Sequence, residues 1–104
     1  NSMEYNVDIT RVYGTMALYW EHAGSLLSKV MSESVSTALG RVHRGASRQK
    51  LGMVRCERYP STLIELGFMT CVEEYEKTSS QYGIEKAAQA IADGVVEYYN
   101  RQVQ

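Results

Sequence analysis

No stretch of this chain is long and apolar enough to span a bilayer, and no signal-peptide pattern is readable. The second absence excludes no location, because Asn1 opens the chain without an initiator Met. Cysteine is scarce: Cys56 and Cys71 are too few for a disulfide framework, and two partly buried free thiols suit them better than a redox pair. Charge of either sign is not in excess. A net charge of −1 offers no footprint for nucleic acid or an anionic membrane. Internal repeats, linkers and low-complexity segments are also lacking. What is present is ordinary for a globular protein, 44% hydrophobic and 22% charged residues, which argues against disorder. The 104 residues allow one domain at most, 1–104.

Residues 1–10 are polar and read as irregular. The run from Arg11 to Trp20 is rich in strand formers, and Gly14 within it marks a bulge or a close approach of another backbone. After a turn at Glu21 to Gly24, residues Leu26, Leu27, Val30, Met31, Val35, Ala38 and Leu39 recur at helical spacing. Gly24 or Ser25 would cap this helix and Gly40 would stop it, with Ser28, Lys29, Ser32, Glu33 and Ser36 on the wet face. Arg41 to Lys50 reads as a basic loop, either facing an anionic ligand or simply solvated. Leu51 to Cys56 is a short strand candidate ending near Arg55. That arginine could clamp a substrate carboxylate or pair with a structural acid.

The chain is organised around Tyr59-Pro60-Ser61-Thr62-Leu63-Ile64-Glu65-Leu66-Gly67-Phe68-Met69. Pro60, the single proline, opens a strand over Thr62 to Glu65, and Gly67 bends the backbone beyond it. Leu63, Ile64 and Leu66 point to a strand buried on both faces, where an idle charge has little room. Glu65 is therefore a functional carboxylate outside a strand end, or else a surface Glu on an edge strand. Thr70 to Glu73 has the form of a capping box for a helix over Cys71 to Thr78. Ile84, Ala87, Ala88, Ile91, Ala92, Val95, Val96 and Tyr99 then make the cleanest helical stripe, with alanines small enough to sit close to a sheet. Strands interleaved with helices give an α/β fold, a mainly parallel sheet flanked by helices.

The run Pro60, Leu63, Ile64, Glu65, Gly67, Phe68 resembles the P-x-x-L-[IV]-E-x-G-F pattern of the zinc-dependent N-acetylmuramoyl-L-alanine amidases, the AmiC/CwlV-like peptidoglycan amidases. The likeness extends upstream through Arg44-Gly45 and Leu51 to Arg55, and downstream through Glu74 and the Ala87–Val95 helix. Cys71 departs from it, standing where the family usually has Asn. Asn1-Ser2 resemble the end of the family's S-[IL]-H-x-N-[AS] segment. The resemblance thus implies the C-terminal portion of an amidase catalytic domain, truncated at its N-terminus.

It further implies cleavage of the amide between N-acetylmuramic acid and L-alanine by zinc-activated water, with Glu65 as general acid/base and Arg55 as a substrate-binding candidate. The family's zinc ligands, two His and one Glu, would lie upstream, leaving no metal ligands and no activity in this chain alone. His22 and His43 do not match those positions, and neither they nor the cysteines have metal-site spacing. Peptidoglycan is the implied partner and the cell wall or exterior the implied location. An open sheet edge would invite self-association. The alternative is a non-catalytic α/β binding or assembly fragment without metal.

Overall fold

The computed structural model describes residues 14–55, 58–67 and 72–102. The strand-forming run yields β1, Thr15–Tyr19, and the first amphipathic segment yields α1, Gly24–Leu39. Next come β2, His43–Arg48, a single 3₁₀ turn at Gly52–Val54, and β3, Leu63–Glu65. Helices α2, Val72–Ser79, and α3, Gln81–Gln102, complete the order. The described strands form one sheet in the order β2-β1-β3, so among them β1 is central and the other two are edges.

The sheet is mixed, which corrects the mainly parallel expectation. β2 runs parallel to β1, as a helix crossover allows, but β3 is antiparallel to it. Between β2 and β3 the described chain carries only the 3₁₀ turn, and without a helical crossover the strand returns in the opposite direction. Two further expectations change in the same region. His43–Arg48, read as loop, is a strand: Gly45, Ala46 and Ser47 are small enough to lie against β1, and an edge tolerates the flanking charges. Of Leu51 to Cys56, read as strand, the described residues Leu51 to Arg55 instead form the 3₁₀ turn and its ends, with the Val54 amide donating to the Leu51 carbonyl (3.1 Å). Cys56 lies outside the described residues, as do Thr70 of the expected capping box and Cys71.

Gly14 fulfils the close-approach reading. Its φ is +113°, and a Cβ there would come within 2.8 Å of the Val42 carbonyl oxygen. The pairing of β1 with β2 slips just beyond it, between Thr15 and Ala17. α1 ends at Gly40 (φ +63°) as expected, whereas its start is capped at Ala23 without any side-chain bond, not by Gly24 or Ser25.

The serines of α1 correct the wet-face assignment. Ser28, Ser32 and Ser36 are buried, while Lys29 and Glu33 are exposed. The Ser28 hydroxyl donates to Thr62 Oγ1 (2.7 Å) and that of Ser36 to the Glu33 carbonyl (3.1 Å), while Ser32 reaches the Thr15 carbonyl at 3.4 Å. Small, self-satisfying side chains let α1 lie close on the strands, and polarity alone misassigns them. A Ser32→Leu substitution is expected to cost about 1–3 kcal/mol by overpacking. The exposed Lys29→Leu should stay within about 0.5 kcal/mol. Urea unfolding of both variants checks the assignment, and equal, small effects would contradict it.

The stripe on α3 is also displaced. Its packed side is Gly83, Ala87, Ala90 and Gly94, whereas Ile84, Ala88, Ala92, Val95, Val96 and Tyr99 are exposed. The helix rests on α1 rather than on the sheet: Ser34 donates to the Ala90 carbonyl (2.7 Å), and a Cβ on Gly94 would lie 2.6 Å from Met31 Sδ. Val35, Leu39, Ala87 and Ala90 form the shared core, against which Ile64, Leu66 and Ile91 pack.

Candidate active site at the end of the third strand

Glu65 is the last residue of β3 and stands opposite Met16 of β1. Its neighbours Ile64 and Leu66 pack into the helical core. Strand alternation therefore turns Glu65, with Leu63 and Met16, to the sheet face away from α1. All three residues of β3 are half-buried, not buried on both faces as expected, because β3 is an edge strand. The Glu65 carboxylate accepts no hydrogen bond and joins no ion pair among the described residues. It is held by its backbone and left open for another group.

What holds that backbone is a polar hub directly beyond Glu65. Arg41 Nη1 donates to the Leu66 carbonyl (2.7 Å), and Nη2 donates to the Glu74 carbonyl (2.7 Å) and to Thr78 Oγ1. The Thr15 hydroxyl shares the Leu66 carbonyl (2.7 Å), and Glu74 Oε2 accepts the Gly14 amide (2.6 Å). One arginine after α1 thus ties the end of β3 to α2, and the start of β1 bonds to the same two residues, Leu66 and Glu74. Gly67 makes room for it: a Cβ there would run into Arg41 Nη1 and come within 2.9 Å of Glu74 Oε1. Its φ is not positive, and what the described residues show Gly67 to serve is close packing.

In the sequence Arg41 stands only as one charge of a basic loop. The available signal was an arginine straight after a helix-stopping glycine, with Glu74 and Gly67 downstream to receive it. Arg55 is exposed after the 3₁₀ turn, and no hydrogen bond or ion pair joins it to Glu65 or to a structural acid among the described residues. His22 and His43 are exposed, at the turn before α1 and the start of β2. No three His, Cys, Asp or Glu side chains come together to hold a metal among the described residues. A groove of about 620 Å³ between α1 and α3, lined by Val30, Glu33, Thr37, Gln89, Asp93 and Arg101 among others, does not include Glu65.

The family model for N-acetylmuramoyl-L-alanine amidase matches residues 6–97, and the chain belongs to that family. It is 33% identical over 81 residues to the uncharacterized protein YqiI of Bacillus subtilis (strain 168), covering 78% of this chain and 39% of that one. To N-acetylmuramoyl-L-alanine amidase LytC of the same organism it is 32% identical over 73 residues, covering 70% of this chain and 15% of LytC. Its fold is similar to the catalytic domain of CwlV, an N-acetylmuramoyl-L-alanine amidase from Bacillus (Paenibacillus) polymyxa var. colistinus. There the TM-score is 0.79 at 26% identity, over 88% of this chain and 51% of that chain. The chain therefore spans about half of that catalytic domain and less of the curated relatives.

Proposed function

We propose that this chain is the C-terminal portion of a peptidoglycan hydrolase that cleaves the amide between N-acetylmuramic acid and L-alanine, with Glu65 as general acid/base. The observation that supports this is the position of Glu65: it ends β3 on the sheet face away from α1, and the backbone on either side of it is anchored. An amide needs its attacking water deprotonated and its leaving amine protonated, and one carboxylate in reach of both can carry that proton. Arg55, exposed and unengaged, is the second substrate contact we assign, to a carboxylate of the stem peptide. A zinc ion, when bound in such domains, lowers the pKa of water and polarises the carbonyl. In this reading the metal is held by the part of the parent domain upstream of this chain, and the 104 residues alone are inactive.

The reading carries a cell-wall or secreted site of action. No described helix is long and apolar enough to cross a membrane. It is tested by muramoyl-alanine hydrolysis with the chain extended upstream, wild type against Glu65→Gln.

The sheet supports a further part of the reading. β2 is paired on one side only among the described strands, and its other edge offers backbone donors and acceptors to a second chain. Self-association through that edge is the expected behaviour of the isolated 104 residues. Sedimentation should show a mass rising with concentration, and a constant monomer mass contradicts it.

A further inference from the structure

The antiparallel register that sets Met16 opposite Glu65 would set Thr15 opposite Leu66, but β3 ends at Glu65. In place of a further main-chain rung, the Thr15 hydroxyl donates to the Leu66 carbonyl (2.7 Å), and Arg41 Nη1 donates to the same oxygen (2.7 Å). Thr15 is itself held on every side. It is fully buried, its amide donates to the Val42 carbonyl (2.8 Å), and its carbonyl meets the Ser32 hydroxyl at 3.4 Å. The links close into a ring: Leu66 to Arg41, Arg41 to the Glu74 carbonyl, Glu74 Oε2 to the Gly14 amide, and Gly14 along the chain to Thr15.

The Glu65 carboxylate makes no hydrogen bond among the described residues, so its backbone alone places it. A three-residue strand paired on one side among the described strands offers that backbone little hold of its own. Pairing with Met16 fixes Glu65 itself, and the doubly bonded carbonyl fixes the residue after it. For a group that must meet both an attacking water and a leaving amine, a misplacement of about 1 Å can cost about 10²-fold in rate.

We propose that Thr15 and Arg41 are positioning residues for Glu65. Together they fix the Leu66 carbonyl and, through it, the direction in which the Glu65 carboxylate meets the substrate. This rests on the amidase reading, in which Glu65 carries the proton. The role is separable from support of the fold. In Thr15→Val the Leu66 carbonyl keeps its bond from Arg41, so no acceptor is stranded, but one of its two donors is gone. Thr15→Ser keeps the hydroxyl and loses a methyl group from a fully buried site, leaving a small void. Both variants should lower stability somewhat, and only the first removes the donor.

The test is steady-state hydrolysis of a muramoyl-peptide by the upstream-extended protein, with kcat counted per folded molecule and a urea midpoint for each variant. Wild type and Glu65→Gln run beside Thr15→Val, Thr15→Ser and Arg41→Lys, the last removing the fork that reaches the same carbonyl from the other side. Thr15→Val and Arg41→Lys should each lower kcat by about tenfold or more with KM little changed, and Thr15→Ser should restore kcat to within about threefold of wild type. Wild-type turnover that is lost in Glu65→Gln upholds the amidase reading whatever the other variants do. Given that pattern, wild-type kcat in Thr15→Val and Arg41→Lys overturns the positioning role alone. Equal kcat in Thr15→Val and Thr15→Ser does the same, since activity would then follow stability and not the hydroxyl. No turnover in the wild type, or full turnover in Glu65→Gln, removes the amidase reading and the positioning role with it.

Discussion

Glu65→Gln in the upstream-extended protein is expected to lower muramoyl-alanine hydrolysis by about 10²–10⁴-fold, the usual contribution of a positioned general acid/base. The substitution keeps shape and removes only the capacity to take and return a proton. Because the carboxylate accepts no hydrogen bond among the described residues, the change leaves no internal partner stranded. Stability should therefore move by no more than about 0.5 kcal/mol. The loss should fall on kcat, with KM little changed, since the proton is in flight only in the transition state. A variant with wild-type kcat would remove Glu65 from the chemistry. A loss confined to KM would recast it as a binding residue.

Arg41→Ala is expected to have the largest effect on stability, about 2–4 kcal/mol. The guanidinium donates to the Leu66 and Glu74 carbonyls and to Thr78 Oγ1, and its removal leaves these acceptors in a partly buried site. Lysine should restore only part of the loss, since a point charge cannot span carbonyls on β3 and α2 together. Gly67→Ala attacks the same hub from the other side, pressing a methyl group into Arg41 and Glu74, and should cost about 1–3 kcal/mol. Against a typical domain stability of about 5–15 kcal/mol, either change is large. Urea denaturation of the variants measures this. An Arg41→Ala midpoint equal to wild type would return Arg41 to the status of a solvated loop charge.

The elements legible in the sequence are those whose burial follows a single period. β1 lies within the Arg11–Trp20 run, α1 fits its apolar spacing, and β3 ends on Glu65 as its pattern implies. What escaped the reading has a physical reason in each case. β2 is an edge strand whose charges face water and whose small residues carry no hydrophobic signal. The buried serines of α1 satisfy themselves on nearby oxygens, so their polarity points the wrong way. α3 packs through glycine and alanine, leaving its larger apolar residues outside, and no periodicity distinguishes those two faces. The direction of β3 depends on what joins it to β2, and an absent helix is harder to read than a present one. At the candidate site, the place of Glu65 at the end of a strand was legible from the pattern before Gly67. Its anchor was not, because Arg41 and Glu74 are far apart in sequence and meet only through the fold.

The central claim is that this chain supplies the proton carrier of a muramoyl-alanine amidase. The most direct test is release of the L-alanyl amine from a muramoyl-peptide, measured side by side for the 104-residue chain and an upstream-extended form, each with its bound zinc determined. The account predicts turnover and stoichiometric zinc in the extended form only. No turnover in a folded, zinc-loaded extended form would contradict it and favour the non-catalytic binding or assembly fragment. Stoichiometric zinc on the 104 residues themselves would place the metal ligands within this chain.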